Sequence, residues 1–185
     1  MADRNVLIGI TGSIAAYKVC ELIRLLKNKE FSVKVILTKA GEQFVTPLTI
    51  ATLTEDRVYR DLFADDIGAQ CASPLLEHIN LSGWADICVV APASANTIAK
   101  IAHGIADNLL TSTVLALPKK VPLIICPAMN VNMWENNILQ KNILIIKETA
   151  EIVGPKKGQL ACGVEGMGAM ADVEDILAAI LKRFH

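Results

Sequence analysis

The sequence predicts an α/β fold built on a parallel sheet, because short apolar runs alternate with stretches of helical periodicity. Residues 5–10, 31–38, 86–91 and 121–126 are almost wholly apolar or β-branched, as strands covered on both faces of a sheet are. In open α/β sheets, ligands bind beyond the carboxyl ends of the strands. The loops that follow these four runs are therefore the candidate ligand site.

Length and composition predict one globular domain over residues 1–185. The chain is 52% hydrophobic and 20% charged, enough for one sizeable core. Its 18 basic and 19 acidic residues give a net charge of -1, so nothing in the overall charge attracts nucleic acid or anionic lipid. No apolar segment approaches the roughly 20 residues of a membrane span, and the amino terminus lacks a signal-peptide layout. We therefore expect a cytoplasmic protein that binds neither nucleic acid nor membrane.

The cysteines and acidic residues predict no metal site. The five cysteines are scattered singly, without the CxxC pairs of a zinc site. Three of them lie within helix or strand patterns and are expected to be core residues: Cys20, Cys88 and Cys126. Three aspartates between the second and third long runs have the irregular spacing of a solvated surface: Asp61, Asp65 and Asp66.

The loop after the first strand has the features of a phosphate site. Gly12 allows close approach of a ligand to the backbone, Ser13 can cap the following helix, and the first N–H groups of that helix favour an anion. Thr38, which ends the second strand, would face the same crevice. Nucleotide-binding loops usually carry several glycines, so a plain strand-to-helix connection without a ligand stays open as the alternative.

Polar side chains also follow the third and fourth strands. Ser94, Asn96 and Thr97 lie at a predicted helix start, where hydroxyl and amide groups can meet the heteroatoms of a ligand. Asn130, in the segment PAMNVNMW at 127–134, is placed to recognise a ligand in the crevice. Because Asn also caps helices readily, the alternative is that Asn130 and Asn132 only cap the helix expected over about 133–141.

His78 and the Gly-rich stretch 158–171 are two further candidate functional features. His78 lies upstream of the strand at 86–91, and a lone His is more often a structural hydrogen-bonding residue than a catalyst. The Gly-rich stretch 158–171 is too apolar for a solvated linker and predicts a flap over about 155–171, with Gly hinges.

The remaining patterns predict the other secondary-structure elements. A loop is expected at 58–76, and short strands are expected at 143–146 and 151–153. Helices are expected to start at Pro47, to span 97–102 and 107–117, and to end the chain after a cap at Asp172.

Five motifs, in this order, resemble the flavin-containing cysteine decarboxylase family. They are GSIAAYK at 12–18, HINLSGWAD at 78–86, APASANTIAK at 91–100, PAMNVNMW at 127–134 and GQLACGVEGMG at 158–168. The likeness covers nearly the whole chain, and the five motifs together are far more specific than any one alone. One position departs from the family: Ala169 stands where relatives usually have an Arg, so the flap here lacks that basic group.

The resemblance implies a three-layer, Rossmann-like domain of flavodoxin type that binds FMN. It also implies a homotrimer or a dodecamer of trimers, with active sites at subunit contacts. The implied reaction is decarboxylation of phosphopantothenoylcysteine to phosphopantetheine in coenzyme A biosynthesis, through a thioaldehyde and an ene-thiolate. Decarboxylation of a peptide that ends in cysteine and flavin prenyl transfer are alternatives within the family. A non-catalytic FMN-binding regulatory subunit is a rival of another class, against which the presence of His78, Asn130 and Cys162 argues.

Roles for individual residues also follow from the resemblance. His78 matches the catalytic base, Cys162 the proton donor, and Asn130 the residue that binds the substrate carboxylate. The other matched positions would hold the FMN phosphate (Gly12, Ser13, Ile14 and Thr38), line the flavin (Ser94, Ala95, Asn96, Thr97 and Ala128) or lie near the substrate in the clamp (Gln159, Ala161 and Met170).

Overall fold

The computed structural model describes residues 4–60, 62, 76–159, 163 and 165–184. The strands of the described residues are β1 (Asn5–Ile10), β2 (Ser32–Leu37), β3 (Val58–Tyr59), β4 (Ile87–Ala93), β5 (Leu123–Pro127), β6 (Glu151–Ile152), β7 (Lys156–Gln159) and β8 (Glu165–Ala169). The helices are α1 (Ala16–Asn28), α2 (Pro47–Thr54), α3 (Glu77–Trp84), α4 (Ala95–Ala102), α5 (Leu109–Leu115), α6 (Val131–Trp134), α7 (Asn137–Ile146) and α8 (Val173–Leu181).

A parallel sheet forms the centre of the described fold. Its six strands lie in the order β3-β2-β1-β4-β5-β6, and each neighbouring pair is parallel. From β1 the chain builds outward through β2 to β3, and it then returns to place β4 on the other side of β1. The order of strands therefore reverses between β1 and β4, which is where sheets of this kind bind ligands.

Helices cover both faces of the sheet. Alternate residues of β1 point to opposite faces, so that Ile8 belongs to the core under α1 and α8 whereas Leu7 belongs to the core under α3, α4, α5 and α7. Helix α1 forms here because its buried residues recur at helical spacing, at Val19, Leu22, Ile23 and Leu26. Each fully buried Leu or Ile contributes about 1.5–3 kcal/mol relative to an exposed one. This arrangement confirms the predicted three-layer α/β fold.

Several predicted elements are confirmed with small shifts at their ends, and others are wrong. Residues 143–146, expected as a strand, form the last turn of α7, because the buried positions Leu139, Ile143 and Ile146 follow helical spacing. The helix expected over about 133–141 is two helices. The break lies at Asn136, whose Oδ1 accepts a hydrogen bond from the Ile138 N–H at 2.9 Å and so caps a new helix.

The stretch at 58–76, expected as a loop, begins with β3, which adds an edge strand to the sheet. Helix α3, with His78 in its first turn, was also not predicted. By contrast, α2 begins as expected: Pro47 is its first residue, and the Thr46 Oγ1 accepts from the Thr49 N–H at 3.1 Å. None of the helices within the described ranges has the length and apolar character needed to cross a bilayer.

The predicted flap contains a β-hairpin. Strands β7 and β8 pair antiparallel, from Lys156 opposite Ala169 to Gln159 opposite Glu165. Asp172 occupies the N-cap position of α8, as expected, but its side chain makes no capping bond. The carboxylate instead forms an ion pair with the Lys156 ammonium, which joins the two ends of the hairpin at its base.

Candidate active site

A cleft of about 560 Å³ lies at the carboxyl edge of the sheet, beside the point where the strand order reverses. Three segments line it. They are the start of α1 with its preceding loop (Ser13, Ile14, Ala15, Tyr17 and Lys18), the loop after β5 (Ala128, Met129 and Asn130), and the hairpin with its exit (Gln159, Gly168, Ala169 and Met170). The predicted residues Ser13, Ile14, Ala128, Asn130, Gln159 and Met170 are thus brought together.

The loop after β1 is tightly folded. A Cβ atom on Gly12 would lie 2.7 Å from the Ala40 Cβ, so only glycine fits without a shift of the neighbouring loop. Ser13 was expected to cap α1, but it does not. The N-cap residue is Ala15, which makes no side-chain capping bond. The Ser13 Oγ instead accepts from the Ala15 N–H at 3.4 Å. The start of α1, with its positive dipole end, therefore faces the cleft without a capping side chain, which suits a phosphate.

Thr38 lies at the expected edge but does not line the cleft. Its hydroxyl donates to the Ile10 carbonyl at 3.1 Å and accepts from the Gly41 N–H at 3.2 Å. Thr38 thus fixes the end of β1 and the loop that packs against Gly12. A direct contact between Thr38 and FMN stays a prediction.

The segment after β4 is held against β1 by Thr11, a residue that sequence reasoning missed. The buried Thr11 hydroxyl donates to the Pro92 carbonyl at 2.6 Å and accepts from the Ser94 N–H at 2.9 Å. Ser94 caps α4, since its Oγ accepts from the Thr97 N–H at 3.4 Å. Ser94, Ala95, Asn96 and Thr97 lie beside the cleft at this edge of the sheet and are not part of its wall.

Asn130 caps a helix and also lines the cleft; its recognition of a ligand stays a prediction. It is the N-cap of α6, and its Oδ1 accepts from the Asn132 N–H at 2.8 Å. The same half-buried side chain lines the cleft. Ala128 reaches this position because its N–H donates to the Ala93 carbonyl at 3.1 Å, which continues the pairing of β5 with β4. The cap therefore holds the amide in place at the wall of the cleft.

The hairpin docks directly on the loop that carries Asn130. The Met129 N–H donates to the Gly168 carbonyl at 3.0 Å. Gly168 has a φ of 147°, and a Cβ there would lie 2.2 Å from the Met129 carbonyl oxygen. Gly166 packs on Val131: a Cβ atom on Gly166 would lie 3.0 Å from the Val131 Cγ2. The glycines thus serve close packing in this part of the hairpin, where the sequence had suggested hinges.

The predicted clamp residue Ala161 and the predicted proton donor Cys162 lie outside the described residues. The three aspartates expected at a solvated surface also lie outside them: Asp61, Asp65 and Asp66. The described cysteines have no disulfide partner. Burial raises the pKa of the Cys88 thiol to about 12 and raises that of Cys126 beyond the usual range. These two thiols are inert core residues, as expected from the strand pattern.

His78 does not line the cleft of its own chain. It is half-buried in the first turn of α3. The other end of α3 lies at the amino edge of the sheet, because the Trp84 carbonyl accepts from the Asn5 Nδ2 at 3.1 Å. The helix therefore points its first turn, with His78, away from that edge and towards the carboxyl half of the sheet.

Sequence reasoning also missed Tyr17, Lys18 and Met129 in the cleft wall. Tyr17 and Lys18 end the GSIAAYK motif. Their polar and charged side-chain ends, so close to the predicted phosphate loop, were the signal that could have placed them in the site. Lys18 also lies near the base of the hairpin. The ammonium of Lys156, and to a lesser degree that of Lys18, lowers the pKa of Asp172.

A model of the flavoprotein family matches residues 1–185. The chain belongs to the flavoprotein family. Among the curated proteins, it is 42% identical to a probable phosphopantothenoylcysteine decarboxylase of Streptococcus mutans serotype c, over 96% of this chain and 97% of that protein. It is 39% identical to the coenzyme A biosynthesis bifunctional protein CoaBC of Bacillus subtilis, over 98% of this chain. The chain spans 43% of the length of that bifunctional relative.

Solved flavoprotein structures share the fold closely. A mutant PPC decarboxylase complexed with pantothenoylaminoethenethiol matches with a TM-score of 0.85 and 33% identity, over 98% of both chains. The FMN-binding protein AtHal3 matches with a TM-score of 0.83 and 35% identity, over 97% of this chain and 96% of that chain. The resemblance drawn from the five motifs and the flavodoxin-type fold are thereby confirmed.

Proposed function

We propose that this flavoprotein uses FMN to decarboxylate phosphopantothenoylcysteine to phosphopantetheine in coenzyme A biosynthesis. The observation that carries the proposal is the composition of the cleft, where Asn130, Gln159 and Met170 lie together with the start of α1. The relative of nearly the same length, named as a probable decarboxylase of this substrate, supports it. A cytoplasmic location is part of the proposal, since the relatives are named for the biosynthesis of coenzyme A.

The cleft fits the phosphate end of FMN. Gly12 keeps the loop after β1 close to its neighbour, and the start of α1 offers N–H groups without a capping side chain. We assign Gly12, Ser13, Ile14 and Thr38 to the phosphate end, and the other predicted FMN residues, Ser94, Ala95, Asn96, Thr97 and Ala128, to the flavin. When bound, FMN supplies the reversible two-electron oxidation of the substrate's cysteine, which creates an electron sink for the loss of CO₂.

Asn130 would orient the substrate carboxylate. Its half-buried amide lines the cleft, and amide N–H groups are donors of the kind that bind a carboxylate. Lys18 adds positive charge to the same cleft and suits an anionic substrate. Gln159, Ala161 and Met170 would cover the substrate from the hairpin, and Cys162 would protonate the ene-thiolate.

His78 would act from a neighbouring copy of the chain. It lies outside the cleft of its own chain, whereas the cleft mouth exposes the apolar side chains of Ile14 and Tyr17, at 55% and 59% of their surface. Exposed apolar groups of this size beside a cleft favour a subunit contact. We therefore propose a homotrimer or a dodecamer of trimers in which His78 of the partner subunit assists deprotonation of the substrate thiol.

The test combines the flavin, the substrate and a Cys162→Ser variant. We expect the purified protein to carry FMN, identified by chromatography, and to convert phosphopantothenoylcysteine to phosphopantetheine, detected by mass spectrometry. Cys162→Ser should release CO₂ anaerobically and accumulate a product two hydrogens lighter than phosphopantetheine, because a hydroxyl is a far weaker acid than a thiol. Cys20→Ser is the matched control and should turn over normally. FAD in place of FMN, or no conversion of the substrate by FMN-loaded protein, would refute the proposal.

A further inference from the structure

The first turn of α3, which carries His78, begins without a side-chain cap. Its N-cap residue is Leu76, whose side chain cannot accept a hydrogen bond and makes no capping bond. The hydrogen bonds and ion pairs found among the described residues include none from the His78 imidazole. Within the described part of the chain, the position of the imidazole therefore depends on how the backbone of this turn is held.

Glu77, the residue next to His78, anchors the backbone of this turn through its side chain. Glu77 forms an ion pair with the guanidinium of Arg57, twenty residues earlier in the chain. The Glu77 side chain is only 13% exposed, whereas that of Arg57 is 68% exposed, so the arginine closes over a largely covered carboxylate. As an acidic residue in the first turn, Glu77 also complements the helix dipole.

Arg57 is itself fixed to the sheet. It directly precedes β3, whose Val58 pairs with Val35 of β2. Its guanidinium lies over the ring of the buried Tyr59, with the Cζ atom 4.6 Å from the ring centroid. A cation over an aromatic face is attracted to it, so the arginine side chain is held in one direction. The ion pair thus ties the start of α3 to the edge of the sheet.

The far end of α3 is held independently. The Trp84 carbonyl accepts from Asn5, and the Lys34 Nζ lies 4.6 Å from the centroid of the Trp84 ring. Loss of the Arg57–Glu77 contact would therefore loosen the first turn while the last turn stays anchored. The expected effect is local to the residues around His78.

We propose that Arg57 is a positioning residue for His78 and acts through Glu77. The inference rests on the proposed catalytic role of His78. An ion pair with one exposed partner adds little to overall stability, whereas displacing a catalytic group by about 1 Å can slow a reaction by as much as about 100-fold. The contact should therefore matter far more for turnover than for folding.

The test compares Arg57→Gln with Arg183→Gln in the FMN-loaded protein. Arg183 forms an equivalent ion pair with Glu151, on the opposite edge of the sheet. We expect Arg57→Gln to lower kcat for CO₂ release by about 5- to 10-fold, with KM, FMN content and Tm close to the wild type. Arg57→Lys, which keeps the charge, and the exchanged pair Arg57→Glu with Glu77→Arg should recover part of the lost kcat. Arg183→Gln should leave kcat unchanged.

His78→Gln separates failure of this inference from failure of the proposed function. If His78→Gln abolishes turnover and Arg57→Gln does not lower kcat, the ion pair does not position His78. A fall in kcat that merely follows lost FMN or a lower Tm, and that neither Arg57→Lys nor the exchanged pair recovers, would also overturn the inference. If His78→Gln turns over normally, the proposed catalytic role of His78 is itself wrong, and the inference fails with it.

Discussion

Replacement of Gly168 by Ala is expected to release the hairpin from the loop that carries Asn130. A Cβ at this position would lie 2.2 Å from the Met129 carbonyl oxygen, and the φ of 147° is one that side-chain-bearing residues rarely adopt. The backbone must shift, and the hydrogen bond from the Met129 N–H to the Gly168 carbonyl, 3.0 Å long, would be lost. Both partners are backbone groups, so no rotation of a side chain can relieve the contact.

The magnitude follows from these two effects. An unfavourable φ for a residue with a Cβ costs about 1–3 kcal/mol, and a lost hydrogen bond costs about 0.5–1.5 kcal/mol. Together they amount to about 3 kcal/mol against docking of the hairpin. This corresponds to a population of the open hairpin about 100-fold larger than in the wild type.

Hydrogen exchange measures this opening at the Met129 amide. We expect that amide to exchange about 100-fold faster in Gly168→Ala, and KM for the substrate to rise, because the hairpin carries Gln159 and Met170 in the cleft wall. Gly158→Ala is the matched control on the same hairpin, since its Cβ would lie 3.4 Å from the Ala169 Cβ, an ordinary contact. Wild-type protection of the Met129 amide in Gly168→Ala would refute the reasoning.

Two other predictions concern the cleft and the base of the hairpin. Asn130→Asp should retain FMN and the start of α6, because Asp caps helices as well as Asn does. Its negative charge about 4 Å from the substrate carboxylate would cost about 4 kcal/mol and lower kcat/KM by about 1,000-fold; near-normal kinetics would leave Asn130 with a capping role alone. The Lys156 ammonium lowers the pKa of Asp172, so this ion pair stabilises the fold above the ordinary Asp pKa of about 3.9, and its contribution is lost as the pH falls through the lowered pKa. The Tm of the wild type should therefore exceed that of Asp172→Asn at about pH 7, by a small margin because both partners are partly exposed. The two Tm values should converge as the pH falls below about 4, as thermal unfolding across that range can measure; a Tm difference that stays constant with pH would contradict the assignment.

The strands of the sheet could be located from the sequence because they are buried on both faces. All seven residues of β4 are buried, for example, and such a strand must be apolar at every position. The two-residue strand β3 has no such signal. It exists because Val58 and Tyr59 pair with Val35 and Ile36, and that pairing depends on the path of the chain between them.

Short apolar stretches without a clear period could not be assigned from the sequence. Residues 143–146 satisfy a strand pattern locally, and their helical state follows from Leu139, Ile143 and Ile146 facing the same core. Asp172 shows the same limit for a polar side chain. Its place at a helix start predicts a cap, but the nearby Lys156 competes for the carboxylate and forms an ion pair with it.

For this protein the sequence alone determined the fold class, the strand ends at which a ligand site would lie, and the motifs that mark a flavoprotein. These are local properties of hydrophobic period and residue type. Only the tertiary structure decided that Thr11 bridges β1 to the segment after β4, that Gly168 packs against Met129, and that His78 lies outside the cleft of its own chain. Each of these depends on contacts between residues far apart in the chain, and their geometry is set by how the sheet and its covering helices pack together.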